Sequence, residues 1–314
     1  MSHYLGIDVS KDKLDVALLH GEHLTTGDFS NSPIGWTKLG RWLEKRQVSQ
    51  LHACLEATGR YGQGAALFLH QQGYQVSVVN PRRTKAYADS KLSRNKTDAI
   101  DAKLIADFCV TQKPGLWSPA SAAQQELQAL TRHLDALKED RQRERNRLKA
   151  GLQLQTVIAA IEAHLAFLDR QIADLEQQIQ QVIHQDPNLK RKRDLLTSIP
   201  AIGDTTAAVF LAEVPDVTDF PQASQLAAYA GVTPRQHHSG SSVRRRTRMA
   251  KTGNRRLRTA FFMPALAAYR YNPIIQALVT RLQQRGKSKM TIVGAAMRKL
   301  LHLAYGVLKT GQPF

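Results

Sequence analysis

The chain has 314 residues, with 44 Lys and Arg against 26 Asp and Glu, a formal charge of +18. The length suggests about two domains, and 42% apolar residues supply at least one core, which excludes a disordered chain. Two cysteines exclude a disulfide framework and a Cys-rich zinc module, so Cys54 and Cys109 read as buried thiols of a reduced cytosolic protein. The N-terminus has charges where a signal peptide needs an apolar core, and no apolar run approaches the roughly 20 residues of a spanning helix. These features predict a soluble, intracellular protein whose charge points toward a polyanion.

The charge is concentrated at one end. Residues 1–110 hold 14 basic and 11 acidic residues, residues 111–190 hold 10 of each, and residues 191–314 hold 20 and 5. After Asp219 there is no acid, while 17 Lys and Arg follow. A solvated face mixes both signs, so the depletion points to phosphate neutralisation. A membrane-surface patch is the weaker reading, because no basic amphipathic anchor with an aromatic face is present.

In chain order, Tyr4–Ser10 and Lys13–Gly21 predict a hairpin, and Thr25–Asn31 a third strand. Ser32-Pro33 opens a helix with Ile34, Leu39 and Leu43 inward. Leu51–Ala57 predicts a buried strand, 61–72 a helix ending at Gly73, and Tyr74–Asn80 a core strand stopped by Pro81. A helix follows over 96–110. The first hundred residues thus form a mixed α/β sheet.

From Ile161 the apolar series Ile161, Leu165, Leu168, Ile172, Leu175, Ile179, Val182 has alternating steps of four and three, a heptad seam. An earlier helix carries Leu127, Leu130, Leu134 and Leu137 in the same register, until the seam fails at Arg141 and Glu144. Gly151 marks the break. Two helices of about 30 residues, each spanning about 45 Å, form either a hairpin within the chain or a coiled coil between protomers. The long seam favours the second. The remainder is mostly helical. Leu195–Gly203 leading into Asp204–Glu213 has the form of a helix-hairpin-helix element, with Ala201 where a Gly is usual. Further helices are predicted at 222–230, 254–269, 273–284 and 290–309, with a loop rich in Ser, Gly and Arg over Thr233–Thr252.

Four carboxylates stand out. Asp8 lies inside the apolar first strand, Glu56 ends the second core strand, and Asp98 and Asp101 are spaced to share one helix face. A strand acid can cap a turn, and acids in a first helical turn simply favour the dipole. Taken jointly, acids from two strand ends and a helix can converge, and a divalent cation would relieve their repulsion. Hard oxygen ligands suit Mg2+ or Mn2+. The order strand-Asp, strand-Glu, helix-Asp-x-x-Asp matches an RNase H-like nuclease site, in which metal ions act on a phosphodiester.

These residues, together with Gly6-Ile7-Asp8, Glu56-Ala57-Thr58-Gly59, Val79-Asn80-Pro81 and Arg94–Ala102, make the N-terminal half resemble the DEDD transposases of the insertion-sequence one-ten family. In the C-terminal half the resemblance continues through Ser198–Gly203, Ala230–Arg235, Ser239–Ser242, Arg248–Gly253 and Leu257-Arg258. It implies a RuvC-like domain over 1–112, a coiled-coil region over 113–190 and a basic, mostly α-helical transposase domain over 191–314. It further implies that Asp8, Glu56, Asp98 and Asp101 are a Mg2+-binding tetrad, and that Ser239 is a catalytic serine, with Ser241 and Ser242 close enough to be confused with it.

A serine in a Ser/Gly run is by itself more often part of a linker. Between Arg235 and Arg258, however, lie nine Lys or Arg, namely Arg235, Arg244, Arg245, Arg246, Arg248, Lys251, Arg255, Arg256 and Arg258. Such a cluster, with Arg82, Arg83 and Lys96 in the first domain, suits nucleic-acid backbones and a transferring phosphoryl group. By resemblance the protein is an RNA-guided DNA recombinase. A bridge-type non-coding RNA encoded by its own element pairs with donor and target DNA, and homodimers assemble to a tetramer in which the serine of one protomer meets the carboxylates of another. Alternatives are a junction-type nuclease using metal-activated water, a sugar kinase or actin-like ATPase, and a non-catalytic RNA-binding protein. The kinase reading lacks its further Gly-rich phosphate loops.

Overall fold

The computed structural model describes residues 3–57, 61–91, 98–151, 154–214, 216–239 and 243–314. The chain divides into two units, Met1–Pro119 and Ala120–Phe314.

In the first unit, β1 (His3–Val9) pairs antiparallel with β2 (Lys13–His20), which pairs antiparallel with β3 (His23–Ser30). Then α1 (Pro33–Glu44) opens on Ser32, whose hydroxyl accepts from the Gly35 N–H at 3.3 Å, with Pro33 in the first turn. Leu39 and Leu43 face inward as predicted. Ile34 does not: it is 71% exposed, because the buried face follows Gly35, Leu39 and Leu43, and Ile34 sits about 100° around the helix from it. Next, β4 (Leu51–Glu56) lies parallel to β1, α2 (Gln63–Gln71) follows, and β5 (Gln75–Val79) lies parallel to β4. The sheet order is β3-β2-β1-β4-β5.

Pro81 stops β5, as predicted, but it also starts a helix that the sequence reading missed, α3 (Pro81–Ser90). Asn80 caps it by accepting from the Arg82 N–H at 2.9 Å. The predicted helix beginning near 96 is α4 (Asp98–Gln112). Residues Leu92–Thr97 lie outside the described residues, Lys96 among them. The two sheet faces bury different partners. Leu5, Ile7, Leu14, Val16 and Leu55 pack with Leu39, Leu43, Ala65 and Leu69, while Cys54 and Val79 pack with Ile105, Phe108 and Cys109 of α4. Helices on both faces of a mixed sheet are consistent with an RNase H-like domain. Both cysteines are buried and free.

In the second unit, α5 (Ala122–Lys149) and α6 (Gln155–Gln185) form an antiparallel hairpin within the chain, broken where Gly151 takes a φ of +84°. Leu127 and Leu134 pack in one core with Ile172, Leu175, Ile179 and Val182, so α5 itself covers that part of the heptad seam. Where the apolar register of α5 fails, polar partners replace it. Arg141 meets Asp169 at 2.9 Å, and buried Glu144 meets Arg147 at 3.0 Å and His164 at 3.6 Å. Toward the hairpin tip, Leu154, Val157 and Phe167 remain exposed.

Then α7 (Pro187–Thr197) turns into α8 (Asp204–Glu213) through Ser198–Gly203. Ala201 has a φ of +82°, which explains why this position favours Gly. After a short 3-10 turn come α9 (Ala223–Tyr229), β6 (Pro234–Ser239) and β7 (Val243–Met249). The chain ends with α10 (Arg255–Ala260), α11 (Phe262–Tyr271), α12 (Pro273–Gln284) and α13 (Lys289–Thr310). The predicted loop over Thr233–Thr252 is therefore a two-stranded ribbon, and the predicted helix over 254–269 is interrupted at Phe261. Buried residues Ile292 to Val307 of α13 form the centre of this unit, against Phe210, Leu226, Phe261 and Ala268.

Candidate active site

The acids gather at one end of the sheet. Asp8 is the penultimate residue of β1 and Glu56 the last of β4. The strands run parallel with Ile7 opposite Leu55, so the two acids stand side by side at neighbouring carboxyl ends, where ligands of α/β sheets collect. Helix α4 brings Asp98 and Asp101 on its first turn. It lies almost directly on β1, because Gly6 has no side chain. A Cβ there would fall 2.1 Å from the Ala102 carbonyl oxygen and 2.3 Å from the Ala106 nitrogen. Ala102 and Ala106 continue this close seam against Ala17 of β2.

Burial and the charges of the other acids act together on Asp8. The Asp8 carboxyl is pushed up to about 6, first by burial, then by the charges of Asp101, Asp98, Glu56 and Asp15. Yet among the described residues no three acidic, His or Cys side chains come close enough to hold one metal ion together. The predicted convergence is thus met in part: the four acids share a sheet end, not a closed ligand shell. Glu56 is turned toward α3, whose Thr84 donates to it. The donor set itself, four hard carboxylates that repel one another, suits a divalent cation.

Two residues near the acids escaped the sequence reading. Thr84 of α3, 6% exposed, donates its hydroxyl hydrogen bond to Glu56 Oε1. The Asn80-Pro81 pair, a cap followed by a first-turn proline, was the signal for that helix. Asp15 lies opposite Asp8 on β2 and is held by Lys13 at 2.7 Å. Arg82 and Arg83 are exposed on the first turn of the helix that carries Thr84. The Arg83 guanidinium lies 5.5 Å from the centre of the Phe108 ring.

Ser239 ends β6 and pairs with Val243 of β7. Gly240, Ser241 and Ser242 lie outside the described residues, as do the side chains of 236–247, including Arg244, Arg245 and Arg246. The backbone register is informative nonetheless. Arg235 lies opposite Arg248, His237 opposite Arg245 and His238 opposite Arg244. Like charges across a ladder destabilise it, and Arg235 opposite Arg248 is such a pair. Arg235, Arg248, Lys251 and Arg255 are exposed. Two of the predicted backbone contacts also have partners inside the protein. Arg256 pairs with Asp135 at 2.7 Å and with Glu213 at 3.0 Å, and Arg258 donates to the Ala230 carbonyl at 3.1 Å.

Among the described residues no helix is long and apolar enough to cross a membrane. Two family models match the chain: the IS110 DEDD transposase over residues 5–157, and the transposase of the IS116/IS110/IS902 family over residues 193–280. The pilin gene-inverting protein of Moraxella bovis is 35% identical over 314 residues, covering 99% of this chain and 97% of the relative. The transposase for insertion sequence element IS1328 of Yersinia enterocolitica is 26% identical over 205 residues, covering 56% of this chain and 58% of the relative. The structure of T. thermophilus RuvC in complex with a Holliday junction substrate covers 36% of this chain and 96% of its own, at a TM-score of 0.28 and 14% identity, too slight a likeness to bear on the fold. Coverage of nearly the whole length at 35% identity, with both transposase models matched in order, leads to one conclusion: the chain belongs to the IS110 family of DEDD transposases.

Proposed function

We propose that this transposase cuts and exchanges DNA strands at donor and target sites chosen by an element-encoded bridge RNA. In this reading Asp8, Glu56, Asp98 and Asp101 hold Mg2+ or Mn2+, and Ser239 is the nucleophile. The observation that carries it is the placement of Asp8 and Glu56 at neighbouring strand ends with Asp98 and Asp101 on the first turn of α4, where burial first and then the charges of the other acids raise the Asp8 carboxyl. The exposed Arg235 and Arg248 of the ribbon whose first strand ends in Ser239 add support. The Moraxella relatives are named for inverting a pilin gene, and an inversion requires DNA ends to be exchanged.

The chemistry asked of the chain is a phosphoryl transfer. Ser239 Oγ bonds to phosphorus, one bridging P–O bond breaks, and the released deoxyribose hydroxyl takes up the proton that the serine gave. The reverse reaction, with a different DNA hydroxyl attacking the phosphoserine, joins strands in a new order and frees the enzyme. A bound divalent ion would polarise the phosphate and favour the ionised hydroxyl. Exposed Arg235, Arg248, Lys251 and Arg255, with Arg82 and Arg83, hold backbones, and sequence choice resides in RNA–DNA pairing. Protomers pair through the exposed apolar tip of the helical hairpin and assemble to a tetramer.

The test is to express the chain with the non-coding DNA that flanks its gene, purify it and sequence the nucleic acid that accompanies it. A single discrete RNA mapping beside the gene is expected. Heterogeneous RNA, or none, would contradict RNA guidance.

A further inference from the structure

One buried carboxylate fastens the exit of the basic ribbon. Glu213 ends α8 with its side chain 4% exposed. From the segment leaving β7, Asn254 Nδ2 donates to it at 2.7 Å and Arg256 Nε lies 3.0 Å away. From α5, Arg132 donates through Nε at 3.3 Å and Nη2 at 3.5 Å. Arg256 continues to Asp135, one helical turn beyond Arg132, at 2.7 Å. The backbone repeats the connection. The Asn254 N–H donates to the Tyr229 carbonyl at 2.7 Å, the Lys251 N–H donates to Gly231 at 3.1 Å, and the Tyr229 hydroxyl donates to the Glu213 carbonyl at 3.2 Å. Gly253, at a φ of +139°, lies so close that a Cβ would fall 2.2 Å from the Tyr229 carbonyl oxygen.

Helix α5 also grips α8 directly. The side-chain amides of Gln124 and Gln128 donate to the carbonyls of Leu211 and Ala212, at 3.1 and 2.9 Å. These are last-turn carbonyls, which have no partner within a helix. A continuous connection therefore runs from the helical hairpin through Glu213 to the base of the ribbon.

Stability alone does not call for this arrangement. The preceding residues of α8, Ala207 to Ala212, are apolar and buried, and an apolar residue would serve the core at least as well as a buried ion pair. A charge with partners on two separate elements fixes a geometry. The ribbon needs one, since an isolated two-stranded hairpin is marginally stable and Arg235 stands opposite Arg248 on its ladder.

We infer that Glu213 is a positioning residue that locks the base of the β6–β7 ribbon to α5 and so sets the direction in which Ser239 is presented to DNA. This rests on the reading of Ser239 as nucleophile, and the experiment separates the two. Wild type, Glu213→Gln, Glu213→Asp and Asn254→Asp are compared as full-length protein. Asn254→Asp keeps the oxygen that caps Leu257 at 2.9 Å but turns the donor facing Glu213 into a repelling acceptor. Hydrogen exchange is followed at 243–254 and, as a control, in α13, and formation of a serine–DNA adduct is timed in a single turnover. The expected result for Glu213→Gln and Asn254→Asp is exchange at 243–254 at least tenfold faster, unchanged exchange in α13, DNA binding within twofold of wild type and adduct formation at least tenfold slower. Glu213→Asp should fall between. Wild-type exchange at 243–254 in both variants, or exchange that rises equally in α13, would overturn the inference. A wild type that forms no adduct would instead overturn the nucleophile reading beneath it.

Discussion

Asp8 shows how one residue joins sheet stability to chemistry. Burial first, and then the neighbouring acids, raise its carboxyl from 3.8 to about 6, so the folded protein binds that proton more tightly than the unfolded chain does. The resulting stability is complete below about pH 4 and is lost as pH rises through about 6. Asp8→Asn removes the loss. In metal-free buffer at pH 8 the variant should be more stable than wild type by about 1 kcal/mol, after allowance for solvent screening of a half-buried group, and equal to it at pH 4. Equal melting temperatures at pH 8 would show that neither burial nor the neighbouring acids raise the Asp8 carboxyl. Thr84 acts through Glu56. Thr84→Val should slow strand exchange about tenfold, in the range typical of groups that orient a metal ligand, with Thr84→Ser restoring the rate. Strand exchange at wild-type rate in Thr84→Val would refute that role. Asp8 and Glu56 stand out in the sequence because a charge in or at the end of an apolar strand is costly without a purpose, and Asp98 and Asp101 because their spacing puts them on one helix face. Thr84 does not, since a threonine carries no such mark until a fold places it beside an acid.

Among elements, α4 is the one whose placement matters most. The absent side chain at Gly6 lets it lie against β1, with Ala102 and Ala106 facing it, and this brings Asp98 and Asp101 to the sheet end. Gly6→Ala has only backbone atoms to collide with, so α4 must move. The expected cost is about 1–3 kcal/mol in urea unfolding, with loss of strand exchange. A variant with wild-type stability and activity would show that the close approach is not required. The periodic elements were plain in the sequence: the three N-terminal strands, the paired long helices and the C-terminal helices all follow apolar spacing. Two elements were not. Helix α3 has one buried residue, Thr84, and therefore no apolar period. Strands β6 and β7 consist largely of Arg, His and Ser, which give no alternation to detect, so the ribbon looked like a loop. Its fold depends on the backbone ladder and on the fastening at its base.

At the scale of the molecule, charge and packing divide the labour. The first unit holds the acids, and the strongly basic second unit holds the ribbon, whose exposed cations suit phosphate. Charge asymmetry was legible from composition, because few structural roles require 17 Lys and Arg with no acid among them. Which of those cations face solvent was not legible. Arg256 and Arg258 look like their neighbours in sequence, and only the fold directs them to Glu213 and to the Ala230 carbonyl. The long heptad seam likewise looked intermolecular until α5 was seen to cover Ile172 to Val182; Leu154, Val157 and Phe167, exposed toward the hairpin tip, remain for a partner.

The most direct test of the account is to trap the protein on DNA. Purified transposase with its accompanying RNA, donor and target DNA and Mg2+ is denatured during reaction, digested with protease, and searched by mass spectrometry for a nucleotide-bearing peptide. The account predicts a phosphodiester on Ser239, absent from Ser239→Ala and from Asp8→Ala. Strand exchange without any adduct, or at wild-type rate in Ser239→Ala, would contradict it and leave the acids to a nuclease that uses water.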